Sequence, residues 1–172
     1  MFKSKWRKFN NLLMNDTTKT TNNFKIVTVI GDVRESEVLV RIVDTAIQRF
    51  GKINVLVWVY YFSLILSFNF LIYLQINNAG TTNGFENIEN ISMKSFDEIM
   101  NINVRAVVEL THYCIKHLIE TKGVIVNMSS VAGTNSYPNM LPYQISKSAL
   151  DQFTKCISLE VGSKGVRVNS IK

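Results

Sequence analysis

The sequence predicts an α/β fold, a parallel sheet with helices packed on both faces, and three observations carry that expectation. Short β-branched runs alternate along the chain with longer stretches of helical periodicity. The short runs are apolar throughout, as strands buried on both faces are. Glycines stand where the helices should end, at Gly51, Gly162 and Gly165.

The elements follow in order. Residues 1–24 are polar and basic, with Lys3, Lys5, Arg7, Lys8 and Lys19 against Asp16, and read as a separate N-terminal segment before a domain at 25–172. The run Lys25–Ile30 (KIVTVI) predicts a buried parallel strand. Glu35–Phe50 places Val38, Ile42, Val43, Ala46, Ile47 and Phe50 at helical spacing, with Gly51 as the stop. Ile53–Val57 (INVLV) predicts the next strand. Asn77–Gly80 (NNAG) is a turn. Ser92–Ile119 is a long helical stretch with Ser92 as a candidate N-cap. Val124–Met128, Pro142–Val161 and Val166–Ile171 read as strand, helix and strand.

One stretch interrupts the pattern. Trp58–Ile76 (WVYYFSLILSFNFLIYLQI) holds 19 residues without a charge. Joined to the strand before it, the run reaches about 24 residues, long enough to cross a bilayer. Two expectations compete here. One is a transmembrane helix with the basic N-terminal flank on its cytoplasmic side. The other is an insertion that does not belong to the fold, such as a translated short intron. Removing residues 58–76 joins INVLV directly to NNAG, which restores a strand running into its turn.

Composition excludes several classes. The net charge is +6, most of it in the first 23 residues, and no nucleic-acid-binding motif accompanies it. That start also lacks the apolar core and small-residue cleavage site of a signal peptide. Cys114 and Cys156 give neither a disulfide framework nor metal-ligand spacing, and His112 and His117 are five apart. No metal site is expected, and a cytoplasmic location is.

Tyr143 and Lys147 stand in YQISK, four apart, and so share one helix face. Free tyrosine phenols titrate near pH ~10, and an ammonium held beside a phenolate stabilises it. Such a pair makes a general acid/base for carbonyl–alcohol interconversion. The alternative for an isolated pair is a half-buried aromatic beside a surface charge. Ser130 lies 13 residues before Tyr143, at the end of a predicted strand. A hydroxyl there could hydrogen-bond a carbonyl oxygen as charge develops on it; alternatively Ser130 caps a turn. Strand alternation sends the side chain of Ser129 the other way.

NNAG at Asn77–Gly80, Asn103 in NINV, Ser130, and YQISK at Tyr143–Lys147 together resemble the signature of the short-chain dehydrogenases/reductases, in order and in register. The likeness covers residues 25–57 and 77–172. It implies a Rossmann-like doubly wound parallel sheet and an oxidoreductase using NAD or NADP on a small-molecule carbonyl or alcohol. By that resemblance Tyr143 is the catalytic acid/base, and Lys147 tunes it and binds the nicotinamide ribose. Ser130 polarises the substrate carbonyl, and Asn103 holds a water linking Lys147 to solvent. Asp32 would contact the adenine, with Val33 beside the ring, and Asn77, Ala79 and Gly80 would line the cofactor. Each of these has a plainer alternative: Asp32 as a helix N-cap, Asn103 as a mid-helix polar residue, NNAG as a tight turn. A homo-oligomer pairing through the two long helices is also implied.

The family's glycine-rich phosphate loop is not among the eight glycines. That predicts a chain starting after the first strand, the loop and the second strand, and stopping before the substrate-binding loop. Reduced activity is then expected, with a non-catalytic fragment or pseudoenzyme, or a membrane-anchored relative, as alternatives.

Overall fold

A computed structural model describes residues 19–21, 24–27, 29–53, 55–59, 62–65, 74–77, 81–82 and 86–172. The elements are β1 (Lys19–Thr21), β2 (Phe24–Ile26), α1 (Ser36–Phe50), β3 (Val55–Val59), β4 (Phe62–Ile65) and β5 (Leu74–Asn77). They continue with α2 (Met93–Met100), a π-helical turn (Asn101–Arg105), α3 (Ala106–Thr121), β6 (Val124–Met128), α4 (Leu141–Val161) and β7 (Arg167–Ile171). Short 3-10 turns, Val131–Gly133 and Gly162–Lys164, flank α4.

The main sheet has the order β4-β3-β5-β6-β7. β3, β5, β6 and β7 are parallel, and β4 returns antiparallel on β3. Each parallel step from β5 onward is bridged by helix, as parallel connections require. The parallel α/β expectation therefore holds.

The helices form where periodicity placed them. α1 buries Val38, Leu39, Ile42, Val43 and Ala46 on one stripe and ends at Gly51. Gly51 adopts φ 73°, a left-handed conformation that favours glycine, and returns its N–H to Ile47 O over 2.8 Å. Ser92 caps α2 by accepting from the Ser95 N–H. The stripes of α1 and α3 meet Ile125, Val166 and Val168 in one core. Asn127 shares its strand face with Ile125 and bonds Thr154 on α4. So α1, α3 and α4 all cover the same face of the sheet, and the helices expected on the other face are not among the described residues. On the other face Arg167, Asn169 and Ile171 are exposed and Val126 and Met128 half-buried.

Three expectations are corrected. Lys25–Ile30 is not a parallel strand of the main sheet. Among the described residues only β2 is strand there, and it pairs antiparallel with β1 in a separate two-stranded ribbon, while Ile30 is exposed. The place beside β3 is taken by β4, and Ile30 O accepts from Arg41 Nη2 over 2.6 Å.

The transmembrane helix expected over Trp58–Ile76 does not form among the described residues. Residues 58–59, 62–65 and 74–76 are strand, and no described helix is long and apolar enough to cross a membrane. Aromatic and β-branched residues favour this outcome, because they pack well on a pleated surface. Its described residues take places in the main sheet. β5, drawn mostly from it, is the strand beside β6. The pairing Val55↔Leu74, Leu56↔Gln75, Val57↔Ile76 sets side by side the residues that removal of 58–76 would make equivalent.

The single helix expected over Ser92–Ile119 is broken in register by the π-helical turn, which closes with Ala106 N–H donating to Asn101 O.

Candidate active site

The carboxyl ends of β5 and β6 converge with the first turns of α4. β5 ends at Asn77 and β6 at Met128, partnered in register through Asn77↔Asn127. In open parallel sheets this is the end at which ligands bind.

Pro142 sits in the first turn of α4, where a missing N–H costs nothing. From that start Tyr143 and Lys147 fall one turn apart on one face. The Lys147 ammonium lies 5.6 Å from the centroid of the Tyr143 ring. It donates to the carbonyl oxygen of Met128 over 2.7 Å, which ties α4 to the end of β6. Lys147 is 4% exposed, and burial pushes its ammonium down to about 8, with the Asp151 charge acting in the opposite sense. Tyr143 is half-buried.

Ser130 is extended and accepts from the Ala132 N–H over 3.2 Å, capping the 3-10 turn that follows. The hydroxyl acts there as an acceptor, so its own proton remains to be donated. Ser129 turns the other way, as alternation requires, and donates to Lys147 O.

Asn103 lies in the π-helical turn and is fully buried. Its Oδ1 accepts from the Thr81 N–H over 2.7 Å, and its Nδ2 donates to Thr81 O and to Ser146 Oγ over 3.1 and 2.9 Å. Ser146 Oγ donates in turn to Tyr143 O over 2.7 Å. The π-helical turn brings this carboxamide between the chain after β5 and the start of α4. Such turns recur at functional sites.

Asp32 does not cap α1; the cap position is Glu35. Instead its carboxylate is paired with the Arg34 guanidinium and accepts the Arg34 backbone N–H. Those hydrogen bonds hold it below the usual carboxylate range. Val33 packs against the core. Asn77 is placed by its backbone alone, and Ala79 and Gly80 lie outside the described residues.

Sequence reasoning passed over Ser146 and Gln144. Gln144 clasps Tyr137 through its N–H and C=O, both at 2.7 Å, and so pins the loop before α4. Ser146 stands three residues after Tyr143, a spacing that places it over the same turn; that was the available signal.

The family model described as short chain dehydrogenase matches residues 8–172. The L-xylulose reductase of Caenorhabditis elegans is 30% identical over 163 residues, covering 94% of this chain and 56% of its own length. The 2-(R)-hydroxypropyl-CoM dehydrogenase of Xanthobacter autotrophicus is 29% identical, over 86% of this chain and 52% of its own. Among solved structures, NAD+-bound xylitol dehydrogenase superposes with a TM-score of 0.68 at 27% identity, covering 82% of this chain and 47% of its own. The chain thus spans about half the length of the relatives it matches.

Proposed function

Because the chain belongs to the short-chain dehydrogenase family, we propose that it is an oxidoreductase interconverting a small-molecule carbonyl and a secondary alcohol with NAD or NADP. The observation that carries this reading is the buried Lys147 ammonium, held over the Tyr143 ring at the carboxyl end of β6.

A nicotinamide ribose fits that donor set. Among the described residues the Lys147 ammonium makes one hydrogen bond, to Met128 O, which leaves two N–H bonds for vicinal hydroxyls. Asp32 and Val33 would hold the adenine end, and Asn77, Ala79 and Gly80 would line the path between. When bound, the dinucleotide supplies or accepts the hydride. The protein's own part is to move the proton. Tyr143 Oη gives its proton to the carbonyl oxygen in reduction and takes it back in oxidation. The Lys147 charge stabilises the phenolate between those events. Ser130 donates its hydroxyl proton to the same carbonyl oxygen, where negative charge accumulates. Asn103 would hold the relay water through an acceptor oxygen, since both Nδ2 hydrogens are committed to Thr81 and Ser146.

The substrate class rests on relatives named for xylulose, xylitol and hydroxypropyl compounds. A homo-oligomer is proposed through α3 and α4, supported by exposed Val108 and Leu159, the latter 84% exposed. Titration of the 172-residue chain with NADH and NADPH, followed by nicotinamide fluorescence, tests the reading. Saturable binding of either supports it; no binding of both overturns it in favour of a non-catalytic relative.

A further inference from the structure

Twelve residues of chain separate Ser130 from Tyr143. Two groups that act on one carbonyl oxygen must hold their places to within about 0.5 Å. The connecting strap has little order of its own. After the turn Val131–Gly133, residues 134–140 form neither helix nor strand beyond the isolated bridge of Met140 to Glu86. Its order is supplied by α4, which presents two neighbouring stripes. Tyr143 and Lys147 form one. Gln144 and Ser148, also four apart, form the next, and both bond the strap. The Gln144 carboxamide accepts from the Tyr137 N–H and donates to Tyr137 O, each over 2.7 Å. The Ser148 hydroxyl donates to Gly133 O over 2.8 Å. Gly133 ends the turn that Ser130 caps, and its N–H donates to Ser130 O over 2.9 Å. That turn sits hard on the helix. A Cβ at Gly133 would lie 3.1 and 3.2 Å from the carbonyl carbon and oxygen of Lys147, and 2.9 Å from Oδ2 of Asp151, which pairs with Lys172 Nζ over 3.1 Å. The strap is thus tied at its start and its middle to the helix that carries Tyr143.

We propose that Ser148 and Gln144 are positioning residues of the oxidoreductase site: by binding the strap to α4 they fix the Ser130 hydroxyl relative to the Tyr143 phenol before any ligand arrives. This rests on the roles proposed above for Ser130 and Tyr143. Both residues act through the backbone they hold, not on the reacting atoms. Ser148 acts at shorter range, because its acceptor belongs to the turn that Ser130 opens. Gln144 engages both backbone polar groups of one residue, so Tyr137 is held in position and in orientation. A site set in this way spends no binding energy on ordering the strap.

The test is NMR on the isotope-labelled 172-residue chain, read at two places. The first is amide exchange at Ala132 and Gly133, whose N–H groups donate to Ser130 Oγ and Ser130 O. Ser148→Ala should speed both about tenfold, the scale of one lost hydrogen bond, and Ser148→Thr, which keeps a hydroxyl, should restore the parent rates. Gln144→Met, which keeps the length of the side chain without its polar atoms, should speed exchange at Tyr137 by a similar factor. The second is the Tyr143 ring signal, assigned by its loss in Tyr143→Phe. It should shift in Ser148→Ala and return in Ser148→Thr, a response that a brace confined to the strap would not give. Parent exchange rates, or an unmoved Tyr143 signal, in Ser148→Ala overturn the proposal. In any form that turns over, Ser148→Ala should lower kcat about tenfold or more with dinucleotide affinity unchanged. Dinucleotide binding by the parent is measured separately, so its absence counts against the enzyme reading while the exchange rates and the Tyr143 signal still judge Ser148 and Gln144.

Discussion

Asn103 Nδ2 donates to Ser146 Oγ over 2.9 Å, and Ser146 Oγ donates to the carbonyl oxygen of Tyr143 over 2.7 Å. With the two Asn103 bonds to the Thr81 backbone, this chain joins the segment after β5, the π-helical turn and the first turn of α4. The carboxamide is wholly buried, so each of its polar atoms depends on these partners.

Ser146→Ala removes the acceptor of one buried Asn103 donor. The expected cost is about 1–3 kcal/mol, the penalty of a buried unsatisfied group. Urea denaturation at fixed pH measures it. A variant as stable as the parent would mean that Asn103 Nδ2 has found another acceptor.

Tyr143→Phe deletes one oxygen and leaves the ring over which Lys147 lies. Turnover should fall by at least about a hundredfold, on the scale of general acid/base catalysis. Dinucleotide affinity should change little, because the donors proposed for the ribose sit on Lys147. The measurement pairs steady-state kinetics of a form that turns over with a binding titration. Retained turnover would remove Tyr143 from the acid/base role.

The lowered titration of Lys147 has a consequence for stability. In the unfolded chain a lysine binds its proton up to about 10.4, whereas in the fold burial brings this down to about 8. Between those values the unfolded state holds more protons, so this group makes the fold more stable as pH rises through that window. Below about 8 both states are protonated, and the fold carries the full cost of a buried charge. Lys147→Met should therefore gain most, relative to the parent, near neutral pH, and the gain should shrink toward pH 10. A pH-independent difference in unfolding free energy would refute it.

Gly133→Ala should destabilise the turn after Ser130. Its Cβ would meet Asp151 Oδ2 and the Lys147 backbone inside normal contact distance. Overpacking of this kind costs about 1–3 kcal/mol. Thermal unfolding should show a lower Tm, and dinucleotide affinity should fall with it if Lys147 is displaced.

Deleting residues 58–76 should leave a cooperatively folding chain. Val55, Leu56 and Val57 already lie level with Leu74, Gln75 and Ile76. Joined to Asn77, they are expected to move one place across the sheet and pair with β6 at the same height. Far-UV circular dichroism and a thermal melt test this; loss of the cooperative transition would show that the β5 sequence is required.

By itself the sequence determined the parallel α/β class, the extents of α1 and α4 and the strands β6 and β7, since periodicity and stop residues act within a few positions. It also marked Tyr143 and Lys147 as neighbours on one helix face, because that relation is local to the helix. It missed the ribbon of β1 and β2 and the strands within 58–76. Short apolar runs carry no mark of which neighbour will take their hydrogen bonds. Nor did it distinguish Ser146 or Asp151 from other residues of an amphipathic helix. Their partners, Asn103, Gly133 and Lys172, come from distant parts of the chain. Only the packing of other elements around α4 decided that one hydroxyl bridges a buried amide and that one carboxylate meets the Lys172 ammonium.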